Sequence, residues 1–137
     1  MNYDDLLPAE SPESRPFWEG LRKEKLLIQK CSNCGKLRHY PRPLCDSCYS
    51  FDFDWIESSG KGIIHSWVVN HHPFHPAFST KTPYTTVTAD MEEGVRLLAP
   101  LVSAIADINL KLGETVHVGF TKINSTFTYP HFELESD

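Results

Sequence analysis

The chain has four cysteines, and they fall into two pairs of identical spacing: Cys31-Ser32-Asn33-Cys34 and Cys45-Asp46-Ser47-Cys48. Two thiolates three positions apart on a tight turn can hold one side of a tetrahedral ion, and a second such pair closes the other side. Gly35 follows the first pair, where the backbone must turn back without a Cβ in the way. The pattern predicts a closed, all-thiolate zinc site with Cys31, Cys34, Cys45 and Cys48 as ligands. With every position filled by protein, the ion supports folding and offers no place to water or substrate. Iron fits the same four sulfurs and stays open at this point. Two disulfides would need an oxidising compartment, and a redox Cys-x-x-Cys has no use for a second copy so near.

The remaining chemistry is weaker. His71, His72 and His75 lie in Asn70-His71-His72-Pro73-Phe74-His75-Pro76-Ala77-Phe78, with no carboxylate in the loop. Adjacent histidines do not share a face, and the prolines hold the backbone extended, so a rigid recognition loop is expected rather than a second metal site. No Ser-His-Asp or Cys-His set assembles, and no catalytic residue is assigned. Residues 21–42 carry Arg22, Lys23, Lys25, Lys30, Lys36, Arg38 and Arg42 against the single acid Glu24. That run is either a solvated face or a surface for an anionic partner.

The whole chain bounds these readings. Its 137 residues are 40% hydrophobic and 23% charged, which suits one compact unit or two small modules. A net charge of −5 argues against general nucleic-acid affinity. No apolar run approaches the ~20 residues of a membrane span. The acidic start, Met1-Asn2-Tyr3-Asp4-Asp5, does not read as a signal peptide, so a cytoplasmic protein is expected.

The elements that must position the cysteines follow from periodicity. Ser11 or Ser14 can cap a helix with Pro12 or Pro16 in its first turn, placing Phe17, Trp18 and Leu21 on one side. Leu26 to Ile28 reads as a strand into the first cysteine pair, Leu37 to Tyr40 as its return, and Phe51, Phe53 and Trp55 as one face of a third strand. Ser58-Ser59-Gly60-Lys61-Gly62 marks a boundary. Beyond it, Ile63 to Asn70, Tyr84 to Met91, Val95 to Val102, Thr115 to Ile123 and Phe127 to Leu134 read as strands, the last an edge because of Pro130. The expected fold is mainly β: an N-terminal helical arm over residues 1–24, a rubredoxin-like zinc ribbon over 25–59, and a five-stranded OB-fold barrel over 60–137.

This combination resembles the DUF35 family of zinc-ribbon, OB-fold proteins associated with acyl-CoA enzymes. The residues that carry the resemblance are Phe17-Trp18-Glu19-Gly20-Leu21, Leu26-Leu27-Ile28-Gln29-Lys30-Cys31, Pro41-Arg42-Pro43-Leu44-Cys45 and Gly60-Lys61-Gly62. His75-Pro76-Ala77-Phe78, Pro83-Tyr84, Glu93-Gly94-Val95-Arg96-Leu97-Leu98 and Leu112-Gly113 follow in order. The resemblance implies a non-catalytic accessory subunit that docks on a thiolase-superfamily enzyme, with structural zinc and an acyl-CoA shared with the partner. The His-Pro-Ala-Phe loop is similar to the version found with aldolases and hydratases of steroid side-chain degradation. Residues expected to face the partner or the coenzyme A thioester are Phe17, Trp18, Arg38, Arg42, His72, Phe74, His75 and Phe78. Competing readings are a nucleic-acid-binding module, since ribbons and OB barrels both serve there, and a subunit of a MaoC-like acyl-CoA hydratase.

Overall fold

The computed structural model describes residues 9–72, 83–102 and 110–135. Helix α1 (Arg15–Arg22) starts after Ser14, with Pro16 in its first turn. Ser14 does not cap it forward; its hydroxyl instead receives the Ser11 N–H at 2.9 Å, folding the entering chain onto the helix. Phe17, Trp18 and Leu21 form the buried side, as the spacing predicts. The helix stops where Glu24 turns left-handed (φ 58) and the Lys23 and Lys25 N–H groups both close on the Gly20 carbonyl at 2.9 Å.

Gly20 is needed for that reversal. A Cβ there would lie 2.9 Å from Leu27 Cγ and 3.0 Å from the Lys25 carbonyl oxygen. Alanine would ordinarily strengthen a helix interior by up to ~1 kcal/mol. Here Gly20→Ala is expected to lower stability by about 1–3 kcal/mol through overpacking, read by urea denaturation.

The ribbon is a small antiparallel sheet of β1 (Leu27–Cys31), β2 (Leu37–Arg38) and β3 (Phe53–Glu57), in the order β2-β1-β3. Strand β3 pairs with β1 along its full length, from Leu27 opposite Glu57 to Cys31 opposite Phe53. The return strand β2 is shorter than expected, and Phe51 stays outside β3. Ser58 continues the β1–β3 ladder by donating to the Leu26 carbonyl at 2.8 Å.

The barrel consists of β4 (Lys61–Asn70), β5 (Tyr84–Met91), β6 (Arg96–Pro100), β7 (Thr115–Lys122) and β8 (Thr128–Leu134). All neighbours are antiparallel in the order β6-β5-β4-β7-β8. A bulge at Ile64/Ser66 bends β4. A parallel bridge between Leu101 and Phe132, with the Val102 N–H on the Phe132 carbonyl at 2.8 Å, nearly closes the barrel. Val87, Ala89 and Met91 point inward as their alternation predicts, and so does Val116. Pro130 sits on β8, the terminal strand of the ladder, where its missing N–H costs little.

The parts share one core: Phe17, Trp18 and Leu21 of the helix, Leu26 and Ile28 of the ribbon, and the inward residues of the barrel form a single buried cluster. The boundary loop is held as well. The Glu93 carboxylate receives the Ser58 hydroxyl at 2.7 Å and the Ser59 N–H at 2.9 Å, and Glu92 receives the Ser59 hydroxyl at 2.8 Å. Among the described residues, no helix is long and apolar enough to cross a membrane.

Candidate metal centre

Each cysteine pair sits on the same backbone turn. In the first, the Cys31 N–H donates to the Lys36 carbonyl and the Gly35 N–H to the Cys31 carbonyl, both at 2.9 Å. In the second, Cys45 donates to the Ser50 carbonyl at 3.0 Å and Tyr49 to the Cys45 carbonyl at 2.9 Å. The residue after each pair is left-handed, Gly35 at φ 80 and Tyr49 at φ 62. The ends of β1 and β3 hold the first turn, and a Lys36–Asp46 ion pair at 2.7 Å ties it to the second.

The four sulfurs lie within 4.8 Å of one another. Cys31 and Cys48 are 3.5 Å apart and Cys34 and Cys45 are 3.6 Å apart, against the roughly 3.8 Å that a tetrahedron with zinc–sulfur bonds of about 2.3 Å requires. Cys31 and Cys45 are fully buried, while Cys34 reaches the surface. The thiols perturb one another. Cys31 is drawn from 9.0 down to about 6, chiefly by the Cys34 N–H. At Cys34 the Lys36 N–H pulls the value down, but burial and the neighbouring sulfurs outweigh it and push it up to about 11. Four thiolates cannot ionise together in this space without a cation, and a bound dication removes the conflict. The donor set fits zinc: Cys31, Cys34, Cys45 and Cys48 would hold it, and it would supply folding energy.

The other expected site residues are placed as follows. Phe17 is 2% and Trp18 6% exposed, so both rings lie inside this chain. The Trp18 indole N–H donates to the Tyr40 hydroxyl at 3.0 Å, and its ring meets Phe127 and Tyr129 edge-on at 6.0 and 6.2 Å. Arg38 is buried: its Nε donates to Gln29 Oε1 at 2.6 Å and its Nη2 to the Arg42 carbonyl at 3.1 Å. The Arg42 N–H also donates to Gln29 Oε1, at 2.7 Å, while its side chain is exposed. His72 is exposed at the end of β4. Phe74, His75 and Phe78 lie outside the described residues.

Sequence reasoning missed Gln29, a fully buried amide that fastens the stretch between the cysteine pairs. It sits in the β1 run next to Ile28, and its polarity hid its role. It also missed His39, packed against the Phe17 ring at 5.3 Å. Burial lowers His39 from 6.5 to about 4. The unfolded chain therefore takes up a proton as pH falls through 6.5, while the folded chain resists until about 4. The neutral ring's contribution is complete above 6.5 and is lost between there and about 4, on the order of 3 kcal/mol. Stability of the native protein relative to His39→Gln should fall across that window in thermal melts. Parallel curves for the two proteins would contradict this.

Comparison with known proteins follows the same architecture. Residues 18–54 match the family described as "ChsH2, rubredoxin-like zinc ribbon domain" and residues 55–121 the one described as "ChsH2, C-terminal OB-fold domain". A solved structure titled "Ltp2-ChsH2(DUF35) aldolase" superimposes with a TM-score of 0.83 at 36% identity, covering 93% of this chain and 98% of that one. The chain belongs to the DUF35 family. Among curated relatives of this DUF35 chain, a "Probable enoyl-CoA hydratase alpha subunit" of Thermomonospora curvata is 37% identical over 91% of the chain. A 3-oxo-4,17-pregnadiene-20-carboxyl-CoA hydratase alpha subunit of Mycobacterium tuberculosis is 35% identical over 72% of the chain. The chain spans only 38% and 31% of the length of those two proteins. A benzoylsuccinyl-CoA thiolase subunit of Thauera aromatica is 29% identical over 74% of the chain and 63% of the relative.

Proposed function

We propose that this DUF35 chain is a non-catalytic accessory subunit of an acyl-CoA-processing complex, docking on a thiolase-superfamily enzyme of the steroid side-chain aldolase type. The observation that carries the reading is the 0.83 TM-score match, spanning nearly all of both chains, to the solved Ltp2-ChsH2(DUF35) aldolase. The thiolase subunit among the relatives supports the same class of partner. The metal set agrees with a supporting role, because four protein sulfurs leave the ion no open position for substrate. In this reading the exposed Arg42 and His72, with Phe74, His75 and Phe78 of the loop, face the partner or the coenzyme A thioester. Arg38 serves indirectly, by holding the stretch that carries Arg42.

Co-expression tests it. The thiolase-superfamily enzyme of the same source organism should be recovered soluble and active on acyl-CoA only together with this chain. Equal solubility and turnover of that enzyme alone would overturn the proposal. A second reading, a hydratase subunit, is favoured by the two hydratase alpha subunits; recovery of hydration activity with a MaoC-like partner instead would select it.

A further inference from the structure

The two cysteine turns share a backbone but not a surface. The left-handed position after the second cysteine of each pair is filled by Gly35 in one and Tyr49 in the other. Glycine adopts this conformation freely, whereas a tyrosine does so against its own Cβ. The metal needs only the turn, and Gly35 shows that glycine provides it. The barrel does not need the ring either, because Tyr49 is 71% exposed. Phe51 is 72% exposed, and Leu44 also reaches the surface. The Cys45 N–H donates to the Ser50 carbonyl at 3.0 Å, and Leu44 and Phe51 are the residues that flank this closing bond at the neck of the turn. At the position matching Leu44, the first turn carries the exposed Lys30. Strain retained at an exposed aromatic, beside two further exposed apolar side chains, is a combination found at contact sites.

We infer that Leu44, Tyr49 and Phe51 form an anchor that inserts into an apolar recess on the companion enzyme. This rests on the accessory-subunit reading above. A turn closed by metal is rigid, so little freedom is lost when its aromatics are buried, and such side chains make effective anchors. The rim is of mixed charge, with Asp52 exposed and Asp46 paired with Lys36 at 2.7 Å, and the match to the solved Ltp2-ChsH2(DUF35) aldolase favours the companion enzyme as the occupant over nucleic acid.

The test uses the full chain with the thiolase-superfamily enzyme of its source organism. Tyr49→Gly relieves the strained position, so zinc content should hold at one per chain and the melting temperature should stay level or rise. Affinity for the enzyme, by calorimetry, should nevertheless weaken at least ~10-fold, and Phe51→Ser should do the same. If the native chain and both variants bind equally, the anchor is wrong while the accessory role stands. If the native chain does not bind the enzyme at all, the accessory reading falls and the anchor with it. If instead the variants abolish a dimer of this chain seen by sedimentation, the patch joins copies and the proposed occupant is overturned.

Discussion

Cys45→Ser is expected to leave the chain without stoichiometric zinc and to lower its melting temperature by roughly 15 °C or more, because metal binding in such a module is folding energy. Cys45 is fully buried, and its sulfur lies 3.6 Å from that of Cys34. A serine hydroxyl there replaces a thiolate with a poor ligand inside the cluster. The damage should not stop at the turn. Cys31 belongs to β1, β1 carries Ile28, and Ile28 belongs to the core shared with the barrel. Chelation of the native protein should therefore follow the same course, with loss of near-ultraviolet dichroism from Trp18 and Trp55. Retention of the native melting temperature by Cys45→Ser would show that the ribbon does not depend on the ion.

Trp18→Ala should cost about 3–5 kcal/mol of stability in the isolated chain, the range for removing a large buried aromatic. The indole is the point where three parts meet: it stacks edge-on with Phe17 of its own helix at 5.1 Å, bonds Tyr40 of the ribbon, and packs on Phe127 and Tyr129 of the barrel. Its removal opens a cavity that no single segment can close. The resemblance to the family implies a partner contact for this residue instead. The two roles separate cleanly in denaturant: a residue serving only a partner would leave the midpoint of the free chain in place, and that result would contradict the burial described here.

What could be read from the sequence was what depends on near neighbours. Cysteine spacing reports a turn and a set of metal-binding sulfurs directly, and alternation in Val87, Ala89 and Met91 reports an inward face. Pro130 reports an edge because its missing donor is a local fact. What escaped depended on partners distant in the chain. Phe17 and Trp18 look alike whether they cover a core or meet another subunit, and only the position of Tyr40 and Tyr129 decides. Arg38 reads as a contact for the partner or the coenzyme A thioester until Gln29 is seen bonded to it inside the ribbon. Phe51 alternates with Phe53 and Trp55, yet the chain is still rounding the second cysteine turn there. The Asp52 N–H donates to the Ser50 hydroxyl at 3.1 Å and the Asp52 carbonyl accepts the Ser32 N–H at 3.0 Å, so β3 starts only at Phe53. The strain at Tyr49 has no signature in sequence at all, since a tyrosine is not expected in a left-handed turn.

The central claim is that a sulfur-enclosed ion fastens this DUF35 chain so that it can serve a partner's chemistry without performing its own. X-ray absorption at the zinc edge of the purified protein tests it most directly. Four sulfur scatterers at about 2.3 Å, unchanged when an acyl-CoA is added, are expected. A nitrogen or oxygen neighbour in the first coordination sphere, or a change on adding the thioester, would contradict it.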